Sequence, residues 1–276
     1  MKHLLKLTDL QPSEIYEIFH IADEIYDGKY RDALTGKSVV LFFPGTSIRT
    51  RVTFEKGIYL LGGQAILFPS ETLDKKEEIR DVCGYLNNWA DMLIVRHRDM
   101  ELLEKLAGYM AVPVINAMTD ISHPCEILSD LYALSRIRED FTADRYLFCG
   151  NAGNIGLTWR EAAQVLGLDL SQCCAAGYEM EGVPVYHNIM DGIRGKDIIC
   201  TDSLPAGTVR DFKECQVTKE AMEMANRGAV LNPCPPFYRG EEVSGEVMES
   251  PWFVGYGFKR HLLAVQQAIM LYCLSK

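Results

Sequence analysis

The chain has 276 residues, 48% of them hydrophobic and 24% charged, a soluble globular composition with length for one large domain or two modest ones. Lys and Arg total 28 against 38 Asp and Glu, a net charge of −10. That balance excludes nonspecific nucleic-acid binding and leaves open a small anion held in a local positive pocket.

In chain order, Thr8–Glu14 reads as the start of a helix capped by Ser13, with Ile15, Ile18, Phe19, Ala22 and Ile25 at helical spacing. Lys37–Phe43 is a continuous apolar run, as expected for a strand buried on both faces. Pro44-Gly45 breaks it, Ser47–Leu61 reads as a helix and Gln64–Phe68 as a second strand. Glu77–Trp89, Glu101–Met110 and Glu126–Ile137 read as helices, alternating with strands at Met92–Val95 and Val112–Asn116. Such alternation predicts right-handed βαβ units and a parallel sheet.

After Arg138–Asp144 the pattern restarts. Arg145–Cys149, Gln172–Ala176, Val183–Tyr186, Asp197–Cys200 and Gly228–Asn232 read as strands, with a helix reaching Leu166 and a long final helix over Lys259–Leu274. The reading is therefore two α/β domains with doubly wound parallel sheets, spanning 1–137 and 142–258, and a C-terminal helix 259–276 that packs back on the first. Leu262–Leu274 is interrupted by Gln266 and Gln267 and is shorter than the roughly 20 residues of a membrane span. Met1–Lys6 carries no secretory h-region. The nine cysteines are scattered with no C-x-x-C spacing, which argues for reduced thiols in a cytoplasmic protein rather than a zinc site.

The segment Phe43-Pro-Gly-Thr-Ser47-Ile48-Arg49-Thr50-Arg51 carries the strongest chemistry. It lies where a buried strand gives way to a helix, whose first N–H groups and partial positive charge suit an anion. Ser47 and Thr50 add hydroxyls, and Arg49 and Arg51 add guanidinium forks that match a phosphate. A capped helix with surface arginines is the plain alternative. In the second half, Gly150, Gly153 and Gly156 follow a strand and open a helix, with Glu179 near the next strand's end. Read by spacing alone this is a dinucleotide fingerprint, and an NAD-dependent oxidoreductase is the competing class.

Ser47-Ile48-Arg49-Thr50-Arg51 resembles the carbamoyl-phosphate motif of the aspartate and ornithine carbamoyltransferases. Asp91–His97 with Arg96, Pro113–Asn116, His123-Pro-Cys-Glu126 with Leu128–Leu131, and Asn232-Pro-Cys234-Pro235-Pro236 with Arg239–Val243 follow in the family's order, over nearly the whole chain. The resemblance implies that Ser47, Ile48, Arg49, Thr50 and Arg51 hold the phosphate and that Arg96 and His123 contact the carbamoyl oxygen. Position 126 carries Glu where the family usually has glutamine. Thr72-Leu-Asp-Lys75-Lys76 resembles a mobile loop that a neighbouring subunit lends to the active site, which implies a role for Lys76 and a homo-oligomer, a trimer or its multiple. A solvated charge run is the plain reading of that stretch.

For the acceptor, the resemblance implies that Asn154 binds an α-carboxylate, Asp202 an α-amino group, and Cys234 with Pro235 the attacking amine. It implies no metal and no organic cofactor, with Arg49, Arg96, His123 and Cys234 as the catalytic set. Ornithine is the expected acceptor. Ser203–Gly207 departs from the ornithine branch, and Leu157 and Ser203 stand where the aspartate branch has arginines. Aspartate, another amine, or a non-catalytic binder of carbamoyl phosphate are the other readings.

Overall fold

A computed structural model describes residues 2–276. The described chain divides into two compact units, one of residues 2–133 and 259–276 and the other of residues 134–258.

The first unit opens with α1 (Pro12–Tyr26), β1 (Ser38–Phe42), α2 (Arg49–Leu60) and β2 (Gln64–Phe68), followed by α3 (Ile79–Leu86), β3 (Met92–Arg96), α4 (Met100–Tyr109), β4 (Val114–Met118) and α5 (Pro124–Ser135). All pairings are parallel and the strand order is β2-β1-β3-β4. Val39, Val40, Leu41 and Phe42 of β1 are buried, so both faces of the central strand are covered, which is what a continuous apolar run requires. The chain winds one way from β1 to β2 and the other way to β3 and β4. The switch point falls between β1 and β3, and ligands bind off the carboxyl ends of strands at such a place.

The second unit contains β5 (Arg145–Cys149), α6 (Asn154–Leu166), β6 (Asp169–Cys173), β7 (Val185–Tyr186), α7 (Ile189–Gly192), β8 (Ile198–Thr201), α8 (Lys219–Met222) and β9 (Val230–Pro233). Its parallel sheet has the order β7-β6-β5-β8-β9, with the switch point between β5 and β8. The chain then returns to the first unit through a 3-10 turn at Tyr256–Arg260 and α9 (His261–Ser275).

The C-terminal helix is apolar on almost every side and packs on α1 and α2, burying Leu262, Val265, Ala268, Ile269 and Met270. Each large aliphatic side chain so buried contributes about 1.5–3 kcal/mol. Gln267 is tolerated there because its Nε2 donates to the Gly57 carbonyl at 3.1 Å. A Cβ at Gly57 would lie 3.0 Å from Gln267 Cγ, so the glycine permits this close approach of α2. No helix among the described residues is long and apolar enough to cross a membrane.

Three local expectations are corrected. Ser13 does not cap α1: the helix begins at Pro12, and the Glu14 carboxylate reaches back to accept from the Gln11 N–H at 2.7 Å. Proline suits that first position because its fixed φ is helical and its missing N–H has no helical partner to lose. The strand expected at 172–176 is β6, three residues earlier, because pairing to β5 sets Asp169 opposite Arg145. The last α-helix begins at His261 rather than Lys259, which sits in the preceding 3-10 turn.

Candidate functional site

β1 delivers the chain to the switch point, and α2 starts there without a side-chain cap on its first N–H groups. Those groups and the helix dipole face whatever occupies the position. Ser47 and Thr50 are buried at this end. Arg96, the last residue of β3, donates from Nη1 to Thr50 Oγ1 at 3.1 Å and to Ser47 Oγ at 3.3 Å. A hydroxyl oxygen that accepts from a guanidinium keeps its own hydrogen for another acceptor, so both hydroxyls are prepared to donate to an anion. A register shift between β3 and β4 falls at Val95/Arg96, and irregularities of this kind re-aim a side chain beside a site. Arg49 and Ile48 are exposed at the helix start, whereas Arg51 is turned along the helix to Glu55 at 2.5 Å.

A cavity of about 500 Å³ opens here, lined by Pro44, Thr46, Ser70, Arg96, His97 and Arg98 among others. His97 is buried behind it. Its Nδ1 accepts from the Asp99 N–H at 3.1 Å, and a backbone N–H can only donate. The ring hydrogen is therefore on Nε2, which donates to Asp74 Oδ1 at 3.0 Å. Asp74 belongs to the loop of Thr72–Lys76, so that loop is anchored in its own chain through Asp74. Lys75 and Lys76 are exposed, and Lys76 is not among the residues lining the cavity.

α5 supplies the third wall. His123 sits just before its first residue and is buried with Glu126 and Asp130. Burial drives the His123 pKa down to about 4, partly opposed by Glu126 and reinforced by Arg96 and Lys259, so at neutral pH the ring is uncharged. Glu126 and Asp130 are one turn apart on the same face, and Lys259 bridges them. Its Nζ donates to Glu126 Oε1 at 2.8 Å and to Asp130 Oδ1 and Oδ2 at 2.6 and 2.8 Å. Burial pushes the Glu126 carboxyl up, but Lys259, with His123 and Arg49, outweighs it and holds the group below its ordinary value. The glutamate that departs from the usual glutamine is thus an ionised acceptor with its charge offset by a lysine.

In the second unit the acceptor candidates sit at the carboxyl ends of three adjacent strands. Asn154 opens α6 after β5, Asp202 follows β8, and Cys234 and Pro235 follow β9. Asn154 Oδ1 lies 2.9 Å from the Ile155 N–H, and Asp202 Oδ1 accepts from the Ser203 N–H at 2.9 Å. Cys234 is buried, and its N–H donates to the Thr201 carbonyl at 2.9 Å. The glycines read as a dinucleotide fingerprint have a packing cause. A Cβ on Gly156 would lie 2.6 Å from Phe148 Cε1 and 2.9 Å from the Asn151 carbonyl. Glu179 is taken up by the Gly177 N–H at 2.9 Å.

The structure thus joins Ser47, Thr50 and Arg96 directly and groups His123 with Glu126. It sets Lys76 apart from the cavity. Sequence reasoning noted Asp130 within the histidine-proline segment and Lys259 just before the last helix but gave neither a role. The paired carboxylates at 126 and 130 on a buried, otherwise apolar helix were the available signal, since such a pair requires a cation nearby.

A family model described as the aspartate/ornithine carbamoyltransferase carbamoyl-P binding domain matches residues 2–136, and one described as the Asp/Orn binding domain matches residues 144–273. The ornithine carbamoyltransferase of Halorhodospira halophila is 32% identical over 293 residues, covering 98% of each chain. The solved ornithine carbamoyltransferases of Thermus thermophilus and Pyrococcus furiosus superpose with TM-scores of 0.92 and 0.93 at 27% and 28% identity, over 99% of this chain and 99% and 97% of theirs. With both halves matched in order over nearly the whole chain, the chain belongs to the aspartate/ornithine carbamoyltransferase family and is a carbamoyltransferase.

Proposed function

We propose that the enzyme transfers the carbamoyl group of carbamoyl phosphate to the side-chain amine of ornithine, giving citrulline and phosphate. The observation that carries the donor half is the Arg96 guanidinium bonded to both Ser47 and Thr50 at the start of α2. In this reading the phosphate rests on the Ser47 and Thr50 hydroxyls, the first N–H groups of α2 from Ile48 onward, Arg49 and Arg51. The carbamoyl oxygen lies between Arg96 and His123.

A neutral amine attacks the carbonyl carbon. A C–N bond forms and the carbonyl pair moves onto oxygen, where the Arg96 guanidinium and the neutral His123 N–H stabilise it. The pair then returns, the bond from carbon to the phosphate oxygen breaks, and the ammonium proton leaves with the phosphate. No side chain has to act as a strong base, so catalysis rests on positioning and preorganised donors.

Asn154, Asp202, Cys234 and Pro235 support ornithine as acceptor because they lie off the ends of neighbouring strands and match the ornithine branch. The names of the relatives point the same way. Nine free, buried cysteines fit a reducing, cytoplasmic setting. Exposed Tyr59, Tyr85 and Trp89 favour a homo-oligomer, a trimer or its multiple, in which a neighbour's Thr72–Lys76 loop completes the site.

The test is ureido-product formation from carbamoyl phosphate with ornithine, aspartate, putrescine and lysine as acceptors. Citrulline as the main product is expected. Product with another amine alone moves the acceptor assignment, and carbamoyl-phosphate binding without any product favours a non-catalytic binder.

A further inference from the structure

Nothing in the reaction as written explains why α5 carries two buried carboxylates one turn apart. Glu126 and Asp130 are 6% and 1% exposed, and like charges this close resist joint ionisation. Lys259 closes the conflict from the far end of the chain. Its ammonium has three hydrogens and makes three short contacts, one to Glu126 Oε1 and two to the Asp130 oxygens. Asp130 fixes the lysine from below, and the lysine fixes the glutamate. Glu126 Oε2 makes no hydrogen bond among the described residues. It is therefore the oxygen available to a ligand beside His123 and Arg96.

We propose that Lys259 is a positioning residue of the donor site: it clamps the Glu126 carboxylate so that Oε2 accepts a hydrogen from the amino group of carbamoyl phosphate. The proposal rests on the donor-site reading of the first unit. A clamped carboxylate can only accept. It therefore favours a donor with N–H hydrogens over acetyl phosphate, which has the same shape but a methyl group there. Leaving the Glu126 Oε2 without a donor against a methyl group is the larger cost, and that cost creates the discrimination. The charged groups around Glu126 are Lys259, Arg49 and, one turn along α5, Asp130, with titratable His123 just before that helix and Arg96 on β3 beside that histidine. Lys259 is the one that bonds it.

The test is equilibrium binding of carbamoyl phosphate, acetyl phosphate and inorganic phosphate to the purified protein and to Lys259→Met, Lys259→Arg and Glu126→Gln. Lys259→Met should weaken carbamoyl phosphate by about tenfold or more, and change the other two by less than about threefold. Lys259→Arg should retain most of the preference. In Lys259→Met, carbamoyl-phosphate affinity should fall on acidification at a higher pH than in the wild type, because Glu126 without its lysine takes up a proton more readily. Glu126→Gln should abolish that acid limb. Equal weakening of all three ligands, or no change, overturns the proposal while the donor site stands. Wild-type protein that binds none of them overturns the donor-site reading and the proposal together. If Lys259→Met does not fold, Glu126→Leu decides, since it removes the acceptor oxygens and leaves the Lys259–Asp130 pair in place. An unchanged preference for carbamoyl over acetyl phosphate in that variant overturns the proposal.

Discussion

Arg96 Nη1 donates to Thr50 Oγ1 across 3.1 Å, tying the last residue of β3 to the first turn of α2. One guanidinium thus orders the Ser47 and Thr50 hydroxyls while presenting its own charge to the same place. Arg96→Ala should lower kcat/KM for carbamoyl phosphate by roughly 10²–10³, the cost of losing a preorganised oxyanion donor. Arg96→Lys keeps the charge but loses the fork, and should recover only part of it. Steady-state kinetics at saturating acceptor measure both. Wild-type kinetics in the alanine variant would remove Arg96 from the site.

His123 sets a pH dependence. Its folded pKa of about 4 lies below the ordinary value near 6.5, so the fold favours the neutral ring. That contribution to stability is complete above about pH 6.5 and is lost as pH falls through the interval to about 4. Its ceiling is about 3 kcal/mol. Urea unfolding of the wild type and His123→Gln should show a difference in stability that shrinks across this window. A constant difference from pH 7 to pH 4 would contradict a buried neutral ring. The His123 ring resonances should likewise keep the chemical shifts of the neutral imidazole at pH 6.

The alternation of apolar runs with helical spacing was enough to read both parallel sheets, because a strand buried on two faces leaves a continuous apolar signature such as Lys37–Phe43. The cluster proposed to hold the phosphate was legible as a cluster for a related reason: Ser47, Arg49 and Thr50 are local in sequence, and one helix start organises them. The contact of Lys259 with Glu126 was not legible. The lysine meets Glu126 across 133 positions, and only the return of the chain through the 3-10 turn at Tyr256–Arg260 brings it there. The glycines at 150, 153 and 156 carried two readings because spacing alone does not distinguish a close nucleotide from a close aromatic ring.

Gly156 separates those two causes. A Cβ would meet Phe148 at 2.6 Å and the Asn151 backbone at 2.9 Å, and the backbone oxygen cannot rotate away as a side chain could. Gly156→Ala should therefore destabilise the protein by about 1–3 kcal/mol, seen as a lower denaturant midpoint with an unchanged slope. An alanine variant as stable as the wild type would show that β5 and α6 have room to part.

The nine cysteines should be quiet in the native state. Burial raises the Cys83 thiol to about 11 and those of Cys174 and Cys273 to about 12, and Cys125 rises further for the same reason. The thiolate is the reactive form, so a disulfide reagent at pH 8 should label these four slowly in folded protein and at once in urea. Fast native labelling at Cys83 would mean that α3 opens on the timescale of the reaction.

The loop at Thr72–Lys76 gives the sharpest test of assembly. Asp74 is held by His97 of its own chain, while Lys75 and Lys76 point into solvent, and the wide apolar exposure at Tyr59, Tyr85 and Trp89 suits a contact between copies. If a neighbour's Lys76 completes each site, Lys76→Ala and Arg49→Ala should each be nearly inactive as pure oligomers. Subunits unfolded together and refolded as mixtures should regain activity, because some sites then combine an intact Arg49 from one subunit with an intact Lys76 from the next. Mixtures no more active than the sum of the two pure variants would mean that every site draws both residues from one chain. A single-subunit mass at micromolar concentration would dispose of the shared site outright.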